Sequence, residues 1–135
     1  ANGAKQAIMA RTSIPTASGK KAGWDLVLND PDLSNTDINF GCQGLVRAHD
    51  VSLLEPMVDW YFEAAMNVWN TRTFKIAEYI LRGAFPFYLA NEALANRTRA
   101  FAHSAEVAAK PALQRIMLEN LDSVDRALKA QKADH

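Results

Sequence analysis

The sequence predicts an all-α protein made of antiparallel helix hairpins, a short HEAT-like α-solenoid or superhelix of about seven helices. Three observations predict it. No segment sustains the two-residue alternation of β-branched residues that marks a strand. Apolar residues instead recur at three- and four-residue spacing along most of the chain. Caps, prolines and Asx turns interrupt that spacing at short intervals, so consecutive helices pair as hairpins. The repeat spacing is irregular, which makes the array a degenerate one.

A first short helix is expected over residues 4–11, with Ile8 and Met9 on its apolar side and Ser13-Ile14-Pro15 as its stop. Thr16 or Ser18 caps a second helix that runs to about Leu28, with Trp24, Val27 and Leu28 inward. Asn29-Asp30-Pro31-Asp32 reads as a turn, since proline biases the preceding residue away from helix. Ser34 is the expected N-cap of a third helix with Asp37 at N3, and its stripe is Ile38, Cys42, Leu45 and Val46. Gly41 and Gly44 each cost that helix about 1 kcal/mol of propensity relative to Ala. In return they let a neighbouring helix come close. His49-Asp50 is the expected end.

Residues 52–70 carry the clearest pattern. Ser52 is the expected cap, Glu55 stands at N3, and Pro56 is tolerated in a first turn. Leu54, Val58, Tyr61, Phe62, Ala65 and Trp69 follow at helical spacing. Thr71 or Thr73 opens the next helix, with Phe74, Ala77, Ile80, Leu81 and Ala84 inward, ending near Phe85-Pro86. Asn91 begins a helix carrying Leu94, Ala95, Thr98 and Phe101. Residues 105–110 read as a loop. Pro111 then starts a long last helix whose seam is Leu113, Ile116, Met117, Leu121, Val124 and Leu128, fraying after about Lys132.

The chain has 135 residues, 49% apolar and 22% charged, which suits one folded domain spanning residues 1–135. Fifteen basic residues balance fifteen acidic ones, and residues 1–50 alone hold five of each sign. Nucleic acid and anionic membranes need clustered Lys and Arg, so neither is an expected partner. The single cysteine, Cys42, cannot form an internal disulfide. No apolar run is long enough for a membrane span and no signal-peptide pattern is seen, so a cytoplasmic location is expected. The start at Ala1-Asn2-Gly3, without Met, fits a processed chain or a piece of a longer one.

Catalytic chemistry is sought and not found. The histidines are His49, His103 and His135; none has a histidine one helical turn away, and no H-E-x-x-H occurs. His49 and His103 read as helix-end residues and His135 as a disordered terminus. The stretch from Asp30 superficially resembles a calcium loop, but its sixth position is Asn35 rather than Gly and its twelfth is Gly41 rather than Glu. Cys42 falls on an apolar stripe and reads as a buried structural thiol. Asn96-Arg97-Thr98 matches a glycosylation sequon, read as a chance match. Arg47, Arg72, Arg82, Arg97 and Arg99 have the geometry to bind a carboxylate, but the simpler expectation is solvated or ion-paired helix residues. The aromatic run Trp60, Tyr61, Phe62, Trp69 and Phe74 reads mainly as core, with Trp60 off the seam and able to line a groove. Phe85-Pro86-Phe87-Tyr88 is the candidate contact surface, as an aromatic loop after a helix. No catalytic or metal residue is assigned, and the substrate-binding residues stay unknown.

Leu53-Leu54-Glu55-Pro56-Met57-Val58-Asp59-Trp60-Tyr61-Phe62-Glu63-Ala64-Ala65, then Val68-Trp69-Asn70-Thr71-Arg72, Ile76-Ala77-Glu78 and Arg82-Gly83-Ala84-Phe85-Pro86, resembles the C-terminal helical domain of aminopeptidase N. The actinobacterial enzymes are the nearest in pattern, with an L-x-P-Y-V-x-x-Y-F helix, a W-x-x-R turn and a G-x-F-P helix end; Met57 stands where their pattern has Tyr. Lys110 to Arg115 and Asp125 to Gln131 are similar to the extreme C-terminus of those proteins. The likeness runs from about Gly19 to Gln131 and rests on structural motifs.

The resemblance implies a parent that is a zinc aminopeptidase removing N-terminal residues from peptides. Its zinc and amine-gripping motifs belong to an upstream catalytic domain of the same chain, so this piece holds no cofactor and no catalytic centre. The implied role is a helical bowl that encloses the active-site chamber. Two other classes compete. A free-standing helical-repeat interaction module needs a continuous exposed groove, which the balanced charge does not favour. A small-molecule enzyme or binder needs convergent polar groups in a closed cavity, and no such set is apparent.

Overall fold

The computed structural model describes residues 8–30, 32–48 and 50–133. All regular structure among them is helical. The chain divides into two compact units, Ala1–Phe85 and Pro86–His135.

In the first unit, α1 is helical over residues 8–12. The rest of the expected first helix lies outside the described residues. Its last turn is closed by side chains: Thr12 Oγ1 donates to the carbonyls of Ile8 and Met9, and Ser13 Oγ to that of Met9. Helix α2 spans Ala17–Asn29, and of the two expected caps it is Thr16 that accepts from the amide of Gly19. After α2 the Asp30 carboxylate accepts from the Asp32 amide, an Asx turn. Helix α3, Asn35–Leu45, opens on the expected cap: Ser34 and Asp37 satisfy each other's amides reciprocally.

The next helix begins differently from the expectation. Val51–Leu54 is a 3-10 turn capped by Asp50, not Ser52. The Asp50 carboxylate accepts both the amide and the hydroxyl of Ser52, so Ser52 donates instead of capping. These two hydrogen bonds, that of the hydroxyl first, hold the Asp50 carboxyl below its ordinary range. Helix α4 follows at Glu55–Thr71 with Pro56 in its first turn. Helix α5, Phe74–Gly83, is capped by Thr73.

Helix α3 packs on α2 and on α5, and α4 on α5. The centre is apolar: Trp24, Val27, Ile38, Cys42, Leu45, Met57, Tyr61, Ile80 and Leu81 are all buried. Each large apolar side chain removed from water stabilises by about 1.5–3 kcal/mol, which fixes which face of each helix turns inward. The expected use of glycine is met. A Cβ at Gly41 would stand 2.8 Å from Val27 of α2, and one at Gly44 would meet Thr12 and the Met9 carbonyl of α1.

The second unit starts with a 3-10 turn, Phe87–Leu89, which ends at Ala90 in the left-handed region (φ 34°, ψ 59°). Gln131 Nε2 donates to the Ala90 carbonyl at 3.3 Å and ties that turn to the last helix. Helix α6, Glu92–Ala102, is capped by Asn91 as expected. Residues 105–110, expected as a loop, contain a single helical turn, α7, at Ala105–Ala108, with Val107 buried. Helix α8 is Pro111–Ala133. It packs mainly on α6, and of the predicted seam Leu113, Ile116, Met117, Leu121 and Val124 are buried while Leu128 is half-buried. Gln114 Nε2 donates to the Ala102 carbonyl and closes the end of α6.

Candidate functional site

His49 and His135 are outside the described residues. His103 is exposed at the C-cap of α6. Cys42 is fully buried, and burial pushes its thiol up to about 12, so it stays a protonated thiol within the core. Among the described residues no three His, Cys, Asp or Glu side chains gather as a metal would require. The Asp30 and Asp37 carboxylates are spent on turn and cap amides, and Gly41 is buried inside α3.

The arginines divide by role. Arg72 donates to the Leu28 carbonyl at 2.9 Å, closing the end of α2, which has no basic residue in its own last turn. Arg82 pairs with Glu78, and Arg99 with Asp125 and Asn96. The Arg47 and Arg97 side chains are exposed. The sequon is not presented for modification in this fold, since Thr98 is fully buried and its hydroxyl donates to the Leu94 carbonyl.

The aromatic run separates into core and surface. Tyr61 is buried, stacks near Phe62 and Phe85, and donates its hydroxyl to the Leu81 carbonyl. Trp60, half-buried, rests 6.4 Å from Trp24, with the Lys21 ammonium 5.0 Å over its ring. Phe74, expected inward, is 56% exposed and packs edge-on to Trp69. It occupies the first position of α5. In the aromatic loop, Phe85 is buried while Phe87 and Tyr88 stand at the surface against each other.

One built site was not foreseen. Lys20 is fully buried, and its ammonium donates to three backbone carbonyls: Thr12 at 3.0 Å, Gly44 at 2.9 Å and Arg47 at 2.6 Å. Burial draws its pKa down to about 8, so it is charged at neutral pH. The sequence signal was its place: Lys20, Trp24 and Val27 share one helical stripe, so a cation sits on an apolar seam.

The ERAP1-like C-terminal domain model matches residues 1–126. Over 134 residues the chain is 34% identical to an Aminopeptidase N of Streptomyces lividans; the match covers 99% of this chain and 15% of that protein. The chain belongs to the ERAP1-like C-terminal domain family, as the C-terminal domain of an aminopeptidase N-like protein.

Proposed function

We propose that residues 1–135 act as one C-terminal capping domain of a zinc aminopeptidase, which removes N-terminal residues from peptides. The observation that carries this reading is the match of nearly the whole chain to 15% of an Aminopeptidase N, in a chain whose described residues gather no ligand set. In such a parent, residues of the upstream catalytic domain would hold the zinc, which would supply Lewis-acid activation of the scissile carbonyl and of water. No step is assigned to residues of this chain. Their contribution is shape: packed helices, stacked as a HEAT-like array, that enclose the peptide, limit its length and help exclude water on closure. The contact of α3 with the next-but-one helix α5, and of α6 with α8, supports stacking of that kind within each unit. The parent works in the cytoplasm on this reading; no helix among the described residues is long and apolar enough to cross a membrane.

The alternative, a free-standing helical-repeat interaction module, draws support from Phe87 and Tyr88, 38% and 62% exposed on a turn that Gln131 holds. A graft distinguishes the two. The S. lividans enzyme is prepared with its matching segment deleted, and with that segment replaced by this chain. The capping reading expects deletion to abolish or strongly lower hydrolysis of short peptides, and the graft to restore it together with a preference for short over long peptides. A deletion that leaves rate and length preference unchanged refutes capping.

A further inference from the structure

The three carbonyls around Lys20 come from two helix ends. Thr12 is the last helical residue of α1, and Gly44 and Arg47 belong to the last turn of α3 and the chain just beyond it. Terminal carbonyls have no intrahelical partner and carry the negative end of the helix dipole. Helix α3 has no basic residue in its own last turn, so the cation reaches it from α2. Among the described residues none of the partners of Lys20 is a carboxylate. Gly44 makes the meeting possible, because any Cβ there would run into Thr12 and the Met9 carbonyl.

We propose that Lys20 is a latch that docks α1 on α2 and α3, and that α1 undocks as a separate step while α2 to α5 stay folded. Two features make the step separable. The described part of α1 gives the core only Ile8 and Thr12, whereas α2 to α5 share a large apolar centre of their own. Undocking gives up only the Thr12 carbonyl and opens a dehydrated ammonium to water, which offsets that lost bond, while the Gly44 and Arg47 carbonyls stay in place. The latch is therefore specific in geometry and cheap to open, as a movable strap requires. This inference does not depend on the capping role.

The test is pulsed acetylation of the native chain with an N-hydroxysuccinimide ester, read lysine by lysine by mass spectrometry, beside amide hydrogen exchange. Lys21, its exposed neighbour, is the internal reference. The expectation is that Lys20 labels about 100-fold slower than Lys21 yet at least about 10-fold faster than global unfolding allows, with little urea dependence. Amides of residues 8–12 should open together with it. Labelling of Lys20 at the Lys21 rate overturns the latch, as does labelling with the urea dependence of core amides such as Ile80. In Lys20→Met, amides of residues 8–12 should lose protection while those of α4 and α5 keep theirs. Retention of protection at residues 8–12, or loss everywhere together, contradicts the proposal; if this variant does not fold, the wild-type labelling decides.

Discussion

Gly44→Ala adds one methyl group at the tightest approach in the first unit. An alanine Cβ at that position lands on Thr12 Oγ1, 2.5 Å from the Met9 carbonyl oxygen and 3.0 Å from Ser13 Oγ. None of these can step aside easily. The Met9 oxygen is backbone, and both hydroxyls are committed to carbonyls of the same helical turn. Two effects oppose each other. Alanine is the better helix former by about 1 kcal/mol in the interior of α3. Overpacking a closed contact costs about 1–3 kcal/mol, and the upper end applies where backbone blocks relief. The net expectation is a loss of about 2 kcal/mol. Urea unfolding of the two proteins side by side, followed by far-UV circular dichroism, measures it as a lower midpoint at unchanged slope. A Gly44→Ala protein as stable as the parent would refute the reasoning, since it would mean that α1 does not press on α3.

Three other outcomes follow from the buried polar and thiol groups. In the folded chain Lys20 titrates near 8, against an ordinary value of 10.5, so between those values the unfolded chain holds more protons. The stability contributed by this lysine therefore rises with pH through that window and is at its lowest below about pH 8. Urea melts of wild type and Lys20→Met from pH 7 to 10 should show the difference growing with pH in favour of wild type, and a shrinking difference contradicts the assignment. Cys42, buried with its thiol held protonated, should react with an aromatic disulfide reagent only after denaturation; rapid reaction of the native chain contradicts its burial. Tyr61→Phe removes the hydroxyl donor from the Leu81 carbonyl and should cost about 0.5–1.5 kcal/mol in the same urea assay, with no cost as the opposing result.

Much of the fold was legible because its local signals agree with its packing. Ser34 with Asp37, Thr73, Asn91 and Pro111 each sit where a helix starts, and the apolar stripes of α4, α5 and α8 face the core. The misreadings have local causes. Asp50 and Ser52 are both competent caps, and the carboxylate, being the stronger acceptor, takes the role and makes a donor of the hydroxyl. The turn at Ala105–Ala108 is too short to show a helical period. Phe74 fits an inward stripe by spacing alone, but spacing does not reveal whether a neighbour reaches that end of α5. Lys20 was missed for a related reason. Charge at that position predicts exposure, and only the meeting of two helix ends, distant in sequence, supplies the carbonyls that let it be buried. The candidate contact surface was legible in part: Phe87 and Tyr88 of the aromatic loop are exposed, whereas Phe85 is buried, a split that the run of aromatic residues does not reveal.

On the proposed capping role, these helices give form to an enzyme whose chemistry belongs to other residues. The direct measurement is on the purified 135-residue chain: zinc content by mass spectrometry after dialysis, and release of a fluorophore from aminoacyl reporter substrates. The predicted result is substoichiometric zinc and turnover indistinguishable from buffer. One zinc per chain accompanied by turnover that co-purifies with the protein is the result that contradicts it.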